Sequence, residues 1–184
     1  MNVLIPDVLK APAEIEMKIF GENAAIVIAD AKTNSDISDD IWKSCNAILA
    51  YDRLLYDKTC IDKLHSCKVI VRVGVGFDNV DLEYAKEKDI VVCNVPDYGT
   101  EEVADHTIAL LLNLSRGIKK YSSNVENGNW DRFHDLPVRL RGKTLGIIGL
   151  GRIGTATAMR AKAFGLNVIY FDPYIADGYD KALG

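Results

Sequence analysis

No apolar run in these 184 residues approaches the ~20 that a helix needs to cross a bilayer, so no membrane span is expected. The amino terminus, Met1-Asn2-Val3-Leu4-Ile5-Pro6, has neither a basic n-region nor a small-residue cleavage site, and so does not read as a secretory signal. Positive charge is short as well. Lysine and arginine number 22 against 26 acids, a net charge of −4, and that balance argues against nucleic acid as a partner. Cysteine is scarce: Cys45, Cys60, Cys67 and Cys93 are all there are. None are at Cys-x-x-Cys spacing or near a histidine at the intervals of a structural zinc site. Reduced thiols in a cytoplasmic protein, and no metal, are the expectation. Histidine is scarcer still. His65 and His134 belong to no constellation, and His106 reads as a partly buried structural residue of a helix. Its neighbour Asp105 points to a different side of that helix, so the two make no dyad by themselves.

What is present is an ordinary globular composition, 48% hydrophobic and 26% charged, laid out with a clear alternation. Val3-Leu4-Ile5, Ala25-Ile26-Val27-Ile28, Ala47-Ile48-Leu49-Ala50, Val69-Ile70-Val71-Arg72-Val73 and Ile90-Val91-Val92 read as strands. Helical stretches separate them: 13–20 stopped by Gly21, 38–45 with Ser38 as its cap, and one capped by Asp81. Strands alternating with helices predict an α/β fold with a parallel sheet covered on both faces. The spacing predicts a long helix over 100–118, with Glu101 and Glu102 in its first turn and basic residues at its far end, as the helix dipole favours. Its middle, Ile108-Ala109-Leu110-Leu111-Leu112, is apolar all round and is expected to be buried. The polar stretch 121–141 reads as an arm or linker.

Two glycine-rich segments carry chemistry. Leu145-Gly146-Ile147-Ile148 is a strand that runs into Gly149-Leu150-Gly151-Arg152-Ile153-Gly154, then an alanine-rich helix, then Asn167-Val168-Ile169-Tyr170-Phe171-Asp172. This is a dinucleotide-binding turn in its proper strand–turn–helix–strand setting. Gly149 permits the tight turn, Gly151 lets the backbone approach a pyrophosphate, and Gly154 lets helix and strand pack closely. The helix start at Arg152-Ile153 offers N–H groups and the positive dipole end. Ile153, Ala156, Met159 and Ala163 are expected on the packed face, with Gly165 ending the helix. Asp172, 18 residues after the last glycine, would accept from the adenosine ribose. A 2′-phosphate would meet that carboxylate, and Pro173 and Tyr174 offer no cation, so NAD is favoured over NADP. The second segment, Arg72-Val73-Gly74-Val75-Gly76-Phe77-Asp78-Asn79-Val80-Asp81, follows a strand's carboxyl end. It suits either an anion-binding concavity for a small carboxylate, reinforced by Arg72, or a loop that simply needs unusual dihedrals.

Together with Val92-Cys93-Asn94-Val95-Pro96, these segments resemble the D-isomer-specific 2-hydroxyacid dehydrogenases, from about residue 45 onward. The run Arg160-Ala161-Lys162-Ala163-Phe164-Gly165, followed by Tyr170-Phe171-Asp172-Pro173-Tyr174 and Asp177-Gly178, is similar to the C-terminal-binding-protein and phosphoglycerate-dehydrogenase-like branch. The resemblance implies a flavodoxin-like substrate domain over 1–97 and the start of a Rossmann-like NAD domain over 98–184. Arg72, Gly74, Val75 and Gly76 would bind the carboxylate of a 2-hydroxy or 2-oxo acid. Val75 stands where many relatives have Thr or Ser, so a hydroxyl contact is lost and backbone contacts remain. Gly149, Gly151, Arg152, Ile153, Gly154, Asp172, Pro173 and Val103 would contact NAD. Asn94-Val95-Pro96 would mark the crossing between domains, and the 100–140 region would join a homodimer.

The family's catalytic arginine, glutamate and histidine lie downstream of the Gly-rich turn, beyond Gly184. The expectation is therefore an amino-terminal portion that is inactive alone, with an open sheet edge and an uncovered apolar face. The resemblance also leaves a rival reading open, an NAD-sensing corepressor-like binding protein on the same fold.

Overall fold

The computed structural model describes residues 1–130, 137–176 and 178–183, which leaves His134 and Asp177 outside the described residues. The chain divides into two compact units, Met1–Tyr98 and Gly99–Gly184.

The first unit is a five-stranded parallel sheet: β1 (Asn2–Ile5), β2 (Ala25–Ile28), β3 (Ala47–Ala50), β4 (Val69–Arg72) and β5 (Val91–Asn94), in the order β2-β1-β3-β4-β5. That is the flavodoxin-like order. The strands are near-continuous apolar runs because the central ones are covered on both faces. Val3, Leu4, Ile5, Ile48 and Ile70 are fully buried, whereas the edge strands β2 and β5 alternate between exposed and half-buried residues. Four helices connect the strands: α1 (Glu14–Phe20), α2 (Asp39–Ser44), α3 (Lys58–Ile61) and α4 (Leu82–Glu87). α1 ends where Gly21 turns to φ 54°, and Asp81 caps α4 by accepting from the Tyr84 N–H at 3.0 Å. Ser38 occupies the cap position of α2 without making the side-chain bond, and Asp39 and Asp40 place negative charge in the first turn of that helix. Trp42 of α2 packs edge-on to Tyr56, ring centroids 6.4 Å apart, in the middle of the core.

The second unit contains α5 (Thr100–Arg116), α6 (Ile118–Glu126), β6 (Thr144–Ile148), α7 (Arg152–Ala163), β7 (Asn167–Phe171) and α8 (Tyr179–Leu183). β6 and β7 pair in parallel, Thr144 opposite Asn167 through Ile148 opposite Phe171. Four expectations change here. The buried residues of α7 are Thr157, Ala158 and Ala161, whereas Met159 and Ala163 are exposed and Ile153, Gly154 and Ala156 are half-buried. Small residues win that face because α7 lies directly against its neighbours. The long helix is not wholly buried. Ala104 and Ile108 face α7, while Leu110 and Leu114 stand exposed, since only one side of α5 has a partner in this unit. The supposed arm begins as helix: Gly117, left-handed at φ 64°, breaks the long helix and restarts it as α6. Arg160 ties α5 to α7, donating to Asp105 at 2.6 Å and to Glu101 one helical turn earlier. Asp105 is thus engaged away from His106, which is exposed rather than partly buried.

On β6 and β7 alternate residues face the helices, and the others, Ile148, Ile169 and Phe171, lie on an open apolar face. Among the described residues no helix is long and apolar enough to cross a membrane, and no cluster of His, Cys, Asp and Glu could hold a metal ion.

Candidate functional site

In the first unit the sheet order reverses between β1 and β3. In open α/β sheets that switch point, outside the strands' carboxyl ends, is where ligands bind. Asp7 stands there, fully buried just past β1. One carboxylate oxygen accepts from the Tyr51 N–H at 3.1 Å, and the other from Arg53 at 2.8 Å and Leu54 at 3.3 Å. A buried carboxylate is tolerated because three donors replace its water. Asp7 therefore shapes the loop that leaves β3. Asn79 then docks the loop that leaves β4 onto it, donating to the carbonyls of Tyr51 and Leu54 at 3.0 and 2.9 Å.

That second loop is the Gly74-Val75-Gly76 segment. Gly74 is buried and Val75 and Gly76 are exposed, so the segment opens outward from the strand end. Asn94, opposite Arg72 in the β4–β5 register, donates to the Val75 carbonyl at 2.9 Å. Arg72 donates to the Val73 carbonyl at 2.9 Å, while its Nε is buried without a protein partner. The sequence-predicted residues Arg72, Gly74, Val75 and Gly76 therefore sit at one strand end. Asp7, Asn79 and Asn94 hold the surrounding loops; the sequence reading placed Asn79 in the glycine-rich segment and Asn94 at the domain crossing without giving either this role, and missed Asp7 altogether. The available signal was an acid directly after the first apolar strand.

In the second unit the three turn glycines are glycine for three different reasons. Gly149 is at φ 91°, a conformation open mainly to glycine. A Cβ on Gly154 would lie 2.0 Å from the Gly149 carbonyl oxygen, so the helix start rests on the turn itself. A Cβ on Gly151 would meet nothing within 4 Å, leaving room over the helix start. The residue between the first two glycines is pinned. Leu150 is buried, its N–H donates to Asp172 at 2.7 Å, and its carbonyl accepts from the Thr155 hydroxyl at 3.2 Å. The other Asp172 oxygen accepts from the Tyr174 N–H at 2.8 Å. Those two N–H groups, Tyr174 first, hold the Asp172 carboxyl below the ordinary 3.8. A group lowered on folding stabilises above its unfolded value, and that contribution disappears as pH falls through the folded one. The Leu150 and Tyr174 amide resonances are accordingly expected to titrate together, with a midpoint below 3.8; separate midpoints in an NMR pH series would show that one carboxylate does not govern both.

Arg152 is exposed and Ile153 half-buried at the start of α7, Pro173 is exposed beside Asp172, and Val103 is exposed on α5, the helix that packs against α7. The unpaired N–H groups of the first turn of α7, together with the open space over Gly151, fit the pyrophosphate of a dinucleotide.

A flavodoxin-like parallel unit, joined in one chain to a strand–turn–helix–strand unit with a dinucleotide turn, defines an α/β protein of the nucleotide-dependent dehydrogenase type. Residues 3–171 match the catalytic domain of the D-isomer specific 2-hydroxyacid dehydrogenases, and the chain belongs to that family. It is 37% identical over 177 residues to C-terminal-binding protein 1 of Caenorhabditis elegans, covering 92% of this chain and 24% of that protein. It is 38% identical over 184 residues to D-3-phosphoglycerate dehydrogenase of Methanocaldococcus jannaschii, covering all of this chain and 34% of the other. Among solved structures, D-lactate dehydrogenase of Aquifex aeolicus with NAD and lactic acid superposes with a TM-score of 0.86 at 29% identity, over 98% of this chain and 54% of that one. An acyclic imino acid reductase complexed with NADPH and D-Arg superposes at 0.84 with 25% identity, over 97% and 59%. The chain thus spans a quarter to a third of these curated relatives, and between half and three-fifths of these solved structures.

Proposed function

We propose that this sequence supplies the carboxylate loop and the dinucleotide turn of an NAD-dependent oxidoreductase acting on the CH–OH group of a D-2-hydroxy acid, or on the matching 2-oxo acid. The single observation that carries the reading is the Gly149–Asp172 unit, in which a pinned turn, an open helix start and an acid at the end of the second strand stand together. Residues 1–97 are the substrate domain and 98–184 the beginning of the NAD domain. The backbone of Gly74, Val75 and Gly76, with Arg72, orients the substrate carboxylate. Gly149, Gly151, Arg152, Ile153 and Gly154 hold the pyrophosphate, Asp172 and Pro173 border the adenosine ribose, and Val103 lies toward the nicotinamide. When bound, the cofactor supplies or accepts hydride. His106 is given no part in proton transfer, because its exposed ring has no carboxylate partner in Asp105, which binds Arg160. Turnover is expected of a protein of family length, of which this chain spans between a quarter and three-fifths.

Asp172 sets the cofactor preference. A carboxylate facing a 2′-phosphate is repulsive, and tenfold discrimination needs only about 1.4 kcal/mol. The 184-residue chain is expected to bind NAD at least tenfold tighter than NADP in calorimetric titrations, with Asp172→Ser narrowing the gap. Equal affinities for the two would overturn the assignment. Turnover is tested in the family-length protein by following NADH oxidation at 340 nm with a panel of 2-oxo acids.

Exposed Leu110 and Leu114 on α5, with Ile118 and Val125 on α6, support a homodimer built on these helices, and the free thiols of Cys45, Cys60, Cys67 and Cys93 support a cytoplasmic protein. The identity with C-terminal-binding protein 1 favours one second reading, an NAD-sensing corepressor-like protein. NAD-dependent peptide capture without turnover in the family-length protein would select it.

A further inference from the structure

Three of the four cysteines, Cys45, Cys60 and Cys67, are buried in the core of the first unit, and Cys93 is exposed. The sheet brings two of the buried three together. Ala47 of β3 lies opposite Val69 of β4, and the ladder runs on backward, the Lys68 N–H donating to the Asn46 carbonyl at 2.9 Å. One residue further back, the same register sets Cys45 opposite Cys67. Neighbouring strands lie about 4.8 Å apart, inside the roughly 4.4–6.8 Å between α-carbons that a disulfide bridges. The Cys45 thiol donates to the Trp42 carbonyl at 3.3 Å and the Cys67 thiol to the Val69 carbonyl at 3.4 Å. The two sulfurs also touch. The Cys45 S–H beside it holds the Cys67 thiol below its ordinary 9.0, while the same contact, and burial after it, raises Cys45. Cys60 stands on α3, outside this register, and burial pushes its thiol up to about 12.

We propose that Cys45 and Cys67 are a redox-modification site, at which a hydroperoxide converts two adjacent thiols into a disulfide that braces β3 against β4. Both lie just beneath exposed Ser44, Ser66 and Lys68, at the rim of the core, where a small peroxide has the shortest way in. The Cys67 sulfur, as thiolate, attacks a peroxide oxygen. The O–O bond breaks, hydroxide leaves and takes a proton to become water, and Cys67 is oxidised by two electrons to the sulfenic acid. The Cys45 sulfur then attacks the Cys67 sulfur. The S–O bond breaks, and the hydroxyl leaves with the Cys45 proton as a second water. The pair sits at the amino ends of β3 and β4, away from the Gly74-Val75-Gly76 loop at the carboxyl end of β4, and the dehydrogenase reading makes no use of it. The bridge encloses residues 46–66, which include β3 and the loop that Asp7 holds. Tying off that span removes freedom from the unfolded chain.

The test uses the full 184-residue chain, reduced, with exposed Cys93 blocked by iodoacetamide under native conditions and hydrogen peroxide then added. Intact mass is expected to fall by two hydrogen atoms and to recover with dithiothreitol, and peptide mapping to find Cys45 joined to Cys67. The urea midpoint should rise by about 1 M on oxidation and return on reduction. A bridge that includes Cys60, oxygen added to a single sulfur, or an unchanged mass at a peroxide level that oxidises the same thiols in urea would overturn the proposal. An unchanged midpoint in the bridged protein would overturn the bracing role. In Cys45→Ser peroxide should no longer move the midpoint, and a shift that persisted there would show that another group is responsible. The mass and mapping results on the unsubstituted chain stand without that variant.

Discussion

Gly154→Ala is expected to dismantle the dinucleotide turn, whereas Gly151→Ala, three residues earlier, should leave the fold intact and remove only the ligand's space. At 154 the added methyl falls 2.0 Å from the Gly149 oxygen and 3.0 Å from its carbonyl carbon. Both are backbone atoms held by the ladder, since the Gly149 N–H donates to Phe171 at 2.9 Å. No rotamer relieves that contact, so α7 has to move off the turn. Overpacking of this kind costs about 3 kcal/mol or more. Residue-resolved hydrogen exchange should show faster exchange throughout β6 and α7, with the Met1–Tyr98 unit unchanged, and NAD affinity should be lost. At 151 the methyl meets nothing, so stability should stay within about 0.5 kcal/mol while NAD affinity falls. Undiminished NAD binding by Gly151→Ala would show that the space over the helix start is not where the cofactor lies.

Asp7→Ala should be the most damaging substitution in the first unit. It strips the partner from three backbone N–H groups at the β1–β3 switch point, in a place where water does not replace it. Each buried donor left unpaired costs about 1–3 kcal/mol, and partial relaxation puts the total at about 2–5 kcal/mol. Asp7→Asn retains one acceptor oxygen and is expected to lose roughly half as much. Urea unfolding followed through the fully buried Trp42 reads both. An Asp7→Ala midpoint equal to that of the parent would mean that the Tyr51–Leu54 loop is held by something else.

The strands were legible because a covered parallel sheet demands apolar β-branched runs, and Ala25–Ile28 and Ala47–Ala50 carry that demand in their residues. The turn was legible because its glycines fall at fixed spacing. What could not be read depended on partners distant in sequence. Arg160 meets Glu101 and Asp105 across more than 50 residues, and nothing local marks that pairing. The packed face of α7 was misjudged because period alone does not say whether the neighbour admits a Met or only an Ala. The burial of α5 was overestimated because an all-round apolar helix signals a need for cover without saying which unit or copy provides it. At the Gly74-Val75-Gly76 loop, spacing pointed to Arg72 and Gly74 separately, and only coordinates show that one fills the other's empty position.

The three bonds of Asp7 also bear on the order of events during folding. They join residues 44, 46 and 47 apart in the chain, and the entropy of closing such loops has to be met before the contacts form. The core pairing of β1 with β3 closes the same span, Val3 with Ala47 and Leu4 with Ile48, so the loop that leaves β3 is fastened in the same closure. Changes at Asp7 should therefore slow folding as well as hasten unfolding. A newly made chain would thus fasten this loop while its core is being built, and not after.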